Sequence, residues 1–179
     1  DEIIVADSHS NDGTSEIAEK MGATVVHIPF NGYGDLRNKA IKYCNNEWIF
    51  SLDCDERCTI EAKNEILSII NNSNLDLFMV PRKNYFMGKW IKHSGWFPNF
   101  RQPQLFRNGK MTYTLDKVHE GYISHSNKEI GTIKNFIWQF PFKNSEELIY
   151  KANRYSSLGA LKLKDKGDNG SILKALIHG

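Results

Sequence analysis

Apolar and polar positions fall into short blocks with two different periods. Ile3-Ile4-Val5-Ala6 is a continuous apolar run ending at Asp7, the pattern of a strand covered on both faces of a parallel sheet. A polar turn, Ser8 to Gly13, precedes helical spacing from Thr14 to Met21, which Gly22 closes, and a β-branched run from Ala23 to Ile28 follows. Together these predict a βαβ unit. Asn31-Gly32-Tyr33-Gly34 then leads into a helix from Asp35 to Cys44, and Trp48-Ile49-Phe50-Ser51-Leu52 predicts a third buried strand running straight into Asp53. A helix from Thr59 to Asn71 and a strand from Leu77 to Val80 complete this half.

Beyond Val80 the pattern becomes a long aromatic and basic stretch. Short strands are predicted at Gln104 to Phe106, Gly121 to His125 and Thr132 to Trp138, then a helix from Ser145 to Lys164. Asn144 and Glu147 stand in capping-box spacing at its start, and Gly167 is its expected stop. Strands alternating with helices predict an α/β sheet with right-handed crossovers, in which ligands sit at the carboxyl ends of strands. Asp7 and Asp53 both occupy such ends. The expected organisation is one domain over residues 1–179, with a Rossmann-like nucleotide-binding half at 1–80 and an α+β half at 81–179. There is no internal repeat. The chain opens within a strand and ends as a new apolar pattern begins at Ile172, so it reads as a fragment.

Composition narrows the class. A chain of 179 residues, 40% hydrophobic and 25% charged, can bury a sizeable core and is not expected to be disordered. No apolar run of about 18 residues spans a bilayer, and no signal-peptide pattern opens the chain, so a cytoplasmic location is expected. Cys44, Cys54 and Cys58 form no CxxC pair and suit reduced thiols better than a disulfide framework or a zinc site. The net charge of +2 is unevenly spread: residues 1–75 carry 6 basic and 13 acidic side chains, residues 76–179 carry 17 and 8. An acidic half can host a divalent cation and a basic half can meet phosphate, although solvated faces give the same tally.

Asp53 and Asp55 leave the end of a strand in alternate directions. Paired carboxylate oxygens at a sheet rim suit a hard cation that neutralises a departing diphosphate, while an acidic loop there is also a common solvated cap. From Arg82 to Arg107, the aromatics Tyr85, Phe86, Trp90, Trp96, Phe97 and Phe100 interleave with Lys83, Lys89, Lys92, His93 and Arg101. Aromatic faces stack on sugar rings and basic groups bind phosphate, so an anionic glycan acceptor is expected, with Trp90 and Trp96 exposed. The alternative places half of these rings in a core.

The runs Asp1 to Thr14, Phe30 to Ala40 and Trp48 to Glu56 resemble, in order and spacing, the family 2 glycosyltransferases. Gly88-Lys89-Trp90, Gly95-Trp96-Phe97-Pro98, Gln104-Leu105-Phe106-Arg107 and Val118-His119-Glu120 are similar to later motifs of the branch that includes lipopolysaccharide-core β-glucosyltransferases. The resemblance covers residues 1 to 160. It implies a GT-A type fold binding a UDP-sugar, with Asp7 at the uracil or ribose, Arg37 at the base, and Asp53 at the ribose and metal. Asp55 would be a metal ligand acting in catalysis, and the ion would be Mg or Mn. It further implies inverting transfer of a hexose such as glucose, in lipopolysaccharide core or other cell-envelope glycan synthesis.

An inverting displacement needs a carboxylate on the acceptor side. Glu120 is the candidate base, Asp116 and Glu56 are the alternatives, and His119 would touch the metal or diphosphate. The expected acceptor contacts are Trp90, Trp96, Arg101 and Arg107. The acceptor is an anionic glycan or glycolipid, reached by peripheral contact of the basic half, including Ser171 to Ile177, with the inner face of the cell membrane. The family's first strand, with its Pro-Thr-Tyr-Asn-like segment, is absent, and Cys54 stands where Ala is common. Simpler readings exist: a strand-end cap for Asp7, a surface ion pair for Arg37 or Glu120, and for Asp12 an Asx-turn or helix cap, the favoured one. Rival functions are a nucleotidyltransferase, whose Gly-rich basic phosphate loop does not appear, and a non-catalytic glycan-binding module. No nucleic-acid recognition motif is present.

Overall fold

The computed structural model describes residues 1–116 and 121–165. They form two compact units, one from Asp1 to Pro141 and one from Phe142 onward. The first begins with β1 (Ile4–Asp7), α1 (Thr14–Lys20) and β2 (Thr24–His27). β1 and β2 pair in parallel with Asp7 opposite His27, as a βαβ unit requires. Asp12 caps the turn before α1, its Oδ1 accepting from the Thr14 N–H at 3.1 Å, which is the favoured reading of that residue.

The remaining elements are α2 (Tyr33–Ile41), β3 (Trp48–Phe50), β4 (Glu56–Cys58), α3 (Ile60–Asn72), β5 (Leu77–Met79) and β6 (Arg82–Phe86). They continue with β7 (Lys89–Trp90), β8 (Leu105–Arg107), β9 (Met111–Tyr113), β10 (Tyr122–Ser124), β11 (Gly131–Thr132), β12 (Ile137–Gln139) and α4 (Ser145–Asp165). One four-stranded sheet runs β11-β5-β8-β3 and another β4-β12-β6-β7. Both are mixed: β5 is parallel to β11 and β6 to β12, whereas β8 is antiparallel to both β3 and β5. Residues 1–80 and 81–141 therefore share sheets. They also share core, since Ala62, Ile66 and Phe78 pack with Leu105, Ile133 and Ile137.

Two sequence expectations change. The third strand stops at Phe50, and Leu52 is 42% exposed rather than buried. The Ser51 N–H still donates to Gln104 O, but the chain then turns because the Asp53 and Glu56 main chains are tied to each other. The single strand expected from Thr132 to Trp138 is broken in two. Glu65 of α3 takes the backbone N–H groups of Lys134 and Asn135 at 2.9 Å each, so the chain leaves one sheet at β11 and enters the other at β12. In the second unit, α4 has its expected cap: Asn144 Oδ1 accepts from the Glu147 N–H, and the Glu147 carboxylate accepts from the Lys143 N–H.

Asp76, buried just before β5, ties β10's following turn to the sheet. It accepts from Ser126 Oγ at 2.6 Å and Lys128 Nζ at 2.9 Å, and these partners hold its carboxyl below the ordinary range. A depressed carboxyl stabilises the fold above its unfolded value, and that contribution is lost as pH falls through the folded value. Asp76→Asn is therefore expected to cost about 2 kcal/mol at neutral pH. In denaturant titrations the gap between variant and parent should close in strong acid; a gap independent of pH would mean the charge contributes nothing.

Candidate active site

The Asp53-Cys54-Asp55-Glu56 turn joins β3 to β4, and its main chain is fixed from two directions. The Asp53 N–H donates to Glu56 Oε2 at 2.9 Å and the Glu56 N–H donates back to Asp53 O. On the other flank the Phe140 N–H donates to Asp55 O, and Gln139 Nε2 approaches Asp55 Oδ2 at 3.4 Å. What remains toward the rim is the pair of carboxylates. Asp53 Oδ1 accepts from Arg37 Nη2 at 2.6 Å, with the Asp53 side chain 40% exposed. The Arg37 guanidinium stands over the rings of Tyr33, 5.8 Å away, and Tyr113, 5.4 Å away.

That placement comes from α2. Asn38, next in the helix, clasps the Tyr113 backbone, donating to its O and accepting from its N–H at 2.8 Å each. Helix and β9 are thereby docked, and Arg37 is carried to the turn.

Asp7 is 4% exposed and organises its own loop. It accepts from the Ser10 N–H, Ser15 Oγ and His27 Nδ1, and the Ser10 bonds foremost hold its carboxyl below the ordinary range. These are the contacts of a strand-end cap. Glu56, one of the alternative bases, is buried against Arg82 Nε at 2.5 Å and Gln104 Nε2 at 2.8 Å. Burial pushes its carboxyl up against the pull of Arg82. It has no path to an acceptor hydroxyl and leaves the list of bases. Asp116, the other alternative, is exposed and accepts from Thr114 Oγ1.

On the basic stretch, β6 and β7 form a hairpin, and the Lys83 and Lys92 ammoniums lie 4.4 and 4.9 Å from the Trp90 ring centroid. Trp90 and Trp96 are half-buried, which corrects their expected exposure: Trp90 packs edge-on with Phe97, and its Nε1 is buried. The more exposed rings are Phe97 and Phe100. Trp96 and Arg101 line one cavity of about 170 Å³ together with Ser94, Gly95 and Asn99. Arg107 is spent on the fold, pairing with Glu47 and Asp76 and standing over Trp48. His119, Glu120 and Ser171 to Ile177 lie outside the described residues.

Residues 1–128 match the family described as Glycosyl transferase family 2. The chain belongs to that family. An uncharacterized glycosyltransferase of Rickettsia conorii is 30% identical over 176 residues, 93% of this chain and 62% of that protein. The lipopolysaccharide core biosynthesis glycosyltransferase LpsC of Rhizobium meliloti is 28% identical, over 98% of this chain and 67% of LpsC. This family 2 chain thus spans 62% of the length of the first Rickettsia relatives it matches. Among solved structures, S. aureus TarS 1-349 in complex with UDP-GlcNAc superposes with a TM-score of 0.59 at 17% identity, over 80% of this chain and 50% of TarS. The fold is of the GT-A type.

The buried polar residues around the turn, Arg82, Asn84, Gln104 and Gln139, escaped the sequence reading. One signal was available: no acidic residue occurs from Leu77 to Leu115, so the buried Arg82 needs a carboxylate from elsewhere.

Proposed function

We propose that the protein is an inverting glycosyltransferase that moves a hexosyl group from a UDP-sugar to an anionic glycan or glycolipid acceptor in cell-envelope glycan synthesis. The observation that carries this is the Arg37–Asp53 pair on a main-chain-fixed turn at the sheet rim, in a chain of family 2. LpsC supports the lipopolysaccharide-core assignment, and the UDP-GlcNAc complex of TarS supports the nucleotide-sugar. Asp7, at the end of β1, would border the nucleoside, and Arg37, standing over two rings, would orient the base or ribose through Asp53.

The turn also fits a divalent cation, Mg or Mn. Asp53 Oδ2 has no partner among the described residues, and the carboxylate oxygens of Asp53 and Asp55 are what a hard ion prefers, with His119 as the further contact the family resemblance implies. Among the described residues no three His, Cys, Asp or Glu side chains gather as a cluster; in this proposal the ion is shared with the donor diphosphate. When bound it would neutralise charge on the leaving diphosphate. On the acceptor side, Trp96 and Arg101 in their cavity and Trp90 with its two lysines offer ring faces and cations.

No described helix is long and apolar enough to cross a membrane. We place the enzyme in the cytoplasm, in peripheral contact with the inner membrane face through its basic half.

The test is the complete gene product assayed against a panel of UDP-sugars with Mg²⁺ or Mn²⁺. Release of UDP with glycosylated product is expected; pyrophosphate release, or glycan binding without turnover, would replace this reading. Within it, Arg37→Ala is expected to raise KM for the UDP-sugar about tenfold or more, one charge-assisted bond being worth about 1.5–3 kcal/mol. An unchanged KM would reduce Arg37 to a surface ion pair.

A further inference from the structure

Beneath the Asp53–Asp55 turn lies a charge pair whose side chains are almost wholly out of solvent, Arg82 at 3% exposure and Glu56 at 0%. Each member reaches to a different side. Glu56 Oε2 holds the Asp53 N–H and Gln104 Nε2, and Gln104 Nε2 also donates to Ser51 O, so Glu56 anchors the turn. Arg82 uses Nε on Glu56, while its Nη1 donates to Asn99 O at 3.0 Å and its N–H to Pro98 O at 2.9 Å. Two residues along β6, Asn84 Nδ2 donates to Trp96 O at 2.8 Å.

One face of β6 thus grips three carbonyls of the loop that lines the cavity beside Trp96 and Arg101. The grip also suits the loop's backbone, since Ser94 sits at φ 57°, a region that few side chains other than glycine, Asn and Asp enter unaided, and Asn99 at φ 46°.

We propose that Glu56 and Arg82 are positioning residues that lock the Trp96–Arg101 loop to the Asp53–Asp55 turn, so that a nucleoside diphosphate ordering the turn also orders the loop that meets the acceptor. This rests on the reading of the turn as the nucleotide site. The physical basis is that a buried guanidinium and carboxylate cannot part without stranding a charge, and the planar guanidinium sets Nε on the carboxylate and Nη1 on the Asn99 carbonyl in a fixed fork that a single ammonium nitrogen does not reproduce. Lysine at position 82 could keep the charge pair but would loosen the loop at Asn99.

The experiment is hydrogen exchange on the complete gene product, with UDP and Mn²⁺ as probes and calorimetry reporting UDP binding. In the parent protein UDP with Mn²⁺ should slow exchange both in 51–56 and in 93–101. In Arg82→Lys the first protection should persist, with UDP affinity within about threefold, while the UDP-dependent protection of 93–101 is clearly reduced, the Asn99 contact being lost and the Pro98 and Trp96 contacts kept. Should Arg82→Lys fail to fold, Asn84→Ala, which frees the Trp96 carbonyl and leaves Glu56 on the turn, is expected to shift the loop's protection in the same direction. The proposal is overturned if the parent shows protection at the turn without the loop, or if folded variants keep both. A parent protein that binds no UDP sinks the nucleotide reading and this proposal with it, a result distinct from either.

Discussion

Asp55→Asn is expected to lower kcat by about 10³-fold or more while leaving the folded state nearly as stable. The stability half follows from geometry. The main-chain bond from the Phe140 N–H to Asp55 O is kept by the substitution, the side-chain bond to Gln139 is long at 3.4 Å, and asparagine has the same shape as aspartate. The rate half follows from chemistry. Neutralising a leaving diphosphate through a carboxylate-held ion contributes several kcal/mol at the transition state, and each 1.36 kcal/mol is about a factor of ten. Asparagine retains the shape but removes the charge that, in the proposed reading, would hold the ion. Single-turnover kinetics with Mg²⁺ or Mn²⁺, alongside a thermal melt, would separate the two halves. Near-parental turnover by a folded Asp55→Asn protein, with or without chelator, would sink the metal assignment. Arg37→Ala gives the contrast, since loss of a contact made equally in ground and transition states appears in KM with kcat unchanged.

Much of the first half was legible in the sequence because its signals are local. The apolar run ending at Asp7, the β-branched run at Thr24 to His27 and the Thr59 cap of α3 each fix an element within a few residues. Asp53 and Asp55 could be read from their position past a strand, and the family motifs added Arg37, which the structure brings to Asp53. What could not be read depends on distant partners. β4 is too short to show a period and exists because β12 pairs with it antiparallel. The break between β11 and β12 depends on Glu65, 69 residues before Lys134. Glu56 looked like one more rim carboxylate, since nothing local reveals that Arg82 and Gln104 meet it in the interior. Trp90 and Trp96 looked exposed because a basic aromatic stretch does not show which ring faces its neighbours pack.

The general base is the remaining chemical requirement, and its assignment carries the second large effect. In the proposed inverting reaction the acceptor hydroxyl would lose a proton as it attacks from the face opposite the diphosphate, a task unsuited to Asp53 and Asp55 if they hold the leaving-group side as proposed, since an ion there would lower their basicity. Glu56 is excluded by burial against Arg82. Glu120 falls in sequence in the segment between β9 and β10, and Tyr113, the last residue of β9, lends its ring to Arg37 at the proposed nucleotide site. Asp116 shares the segment, but its Oδ2 already accepts from Thr114 Oγ1. Glu120→Gln is therefore expected to cut kcat by about 10² to 10⁴, the usual worth of a positioned base, with UDP-sugar binding nearly unchanged. The pH profile adds a second readout: loss of a base should flatten the acidic limb of kcat, which the loss of a surface ion pair would leave in place. A Glu120→Gln enzyme within about threefold of parental kcat would remove Glu120 from the role, given that removing a working base costs at least about 10². An equal loss in Asp116→Asn would move the assignment there.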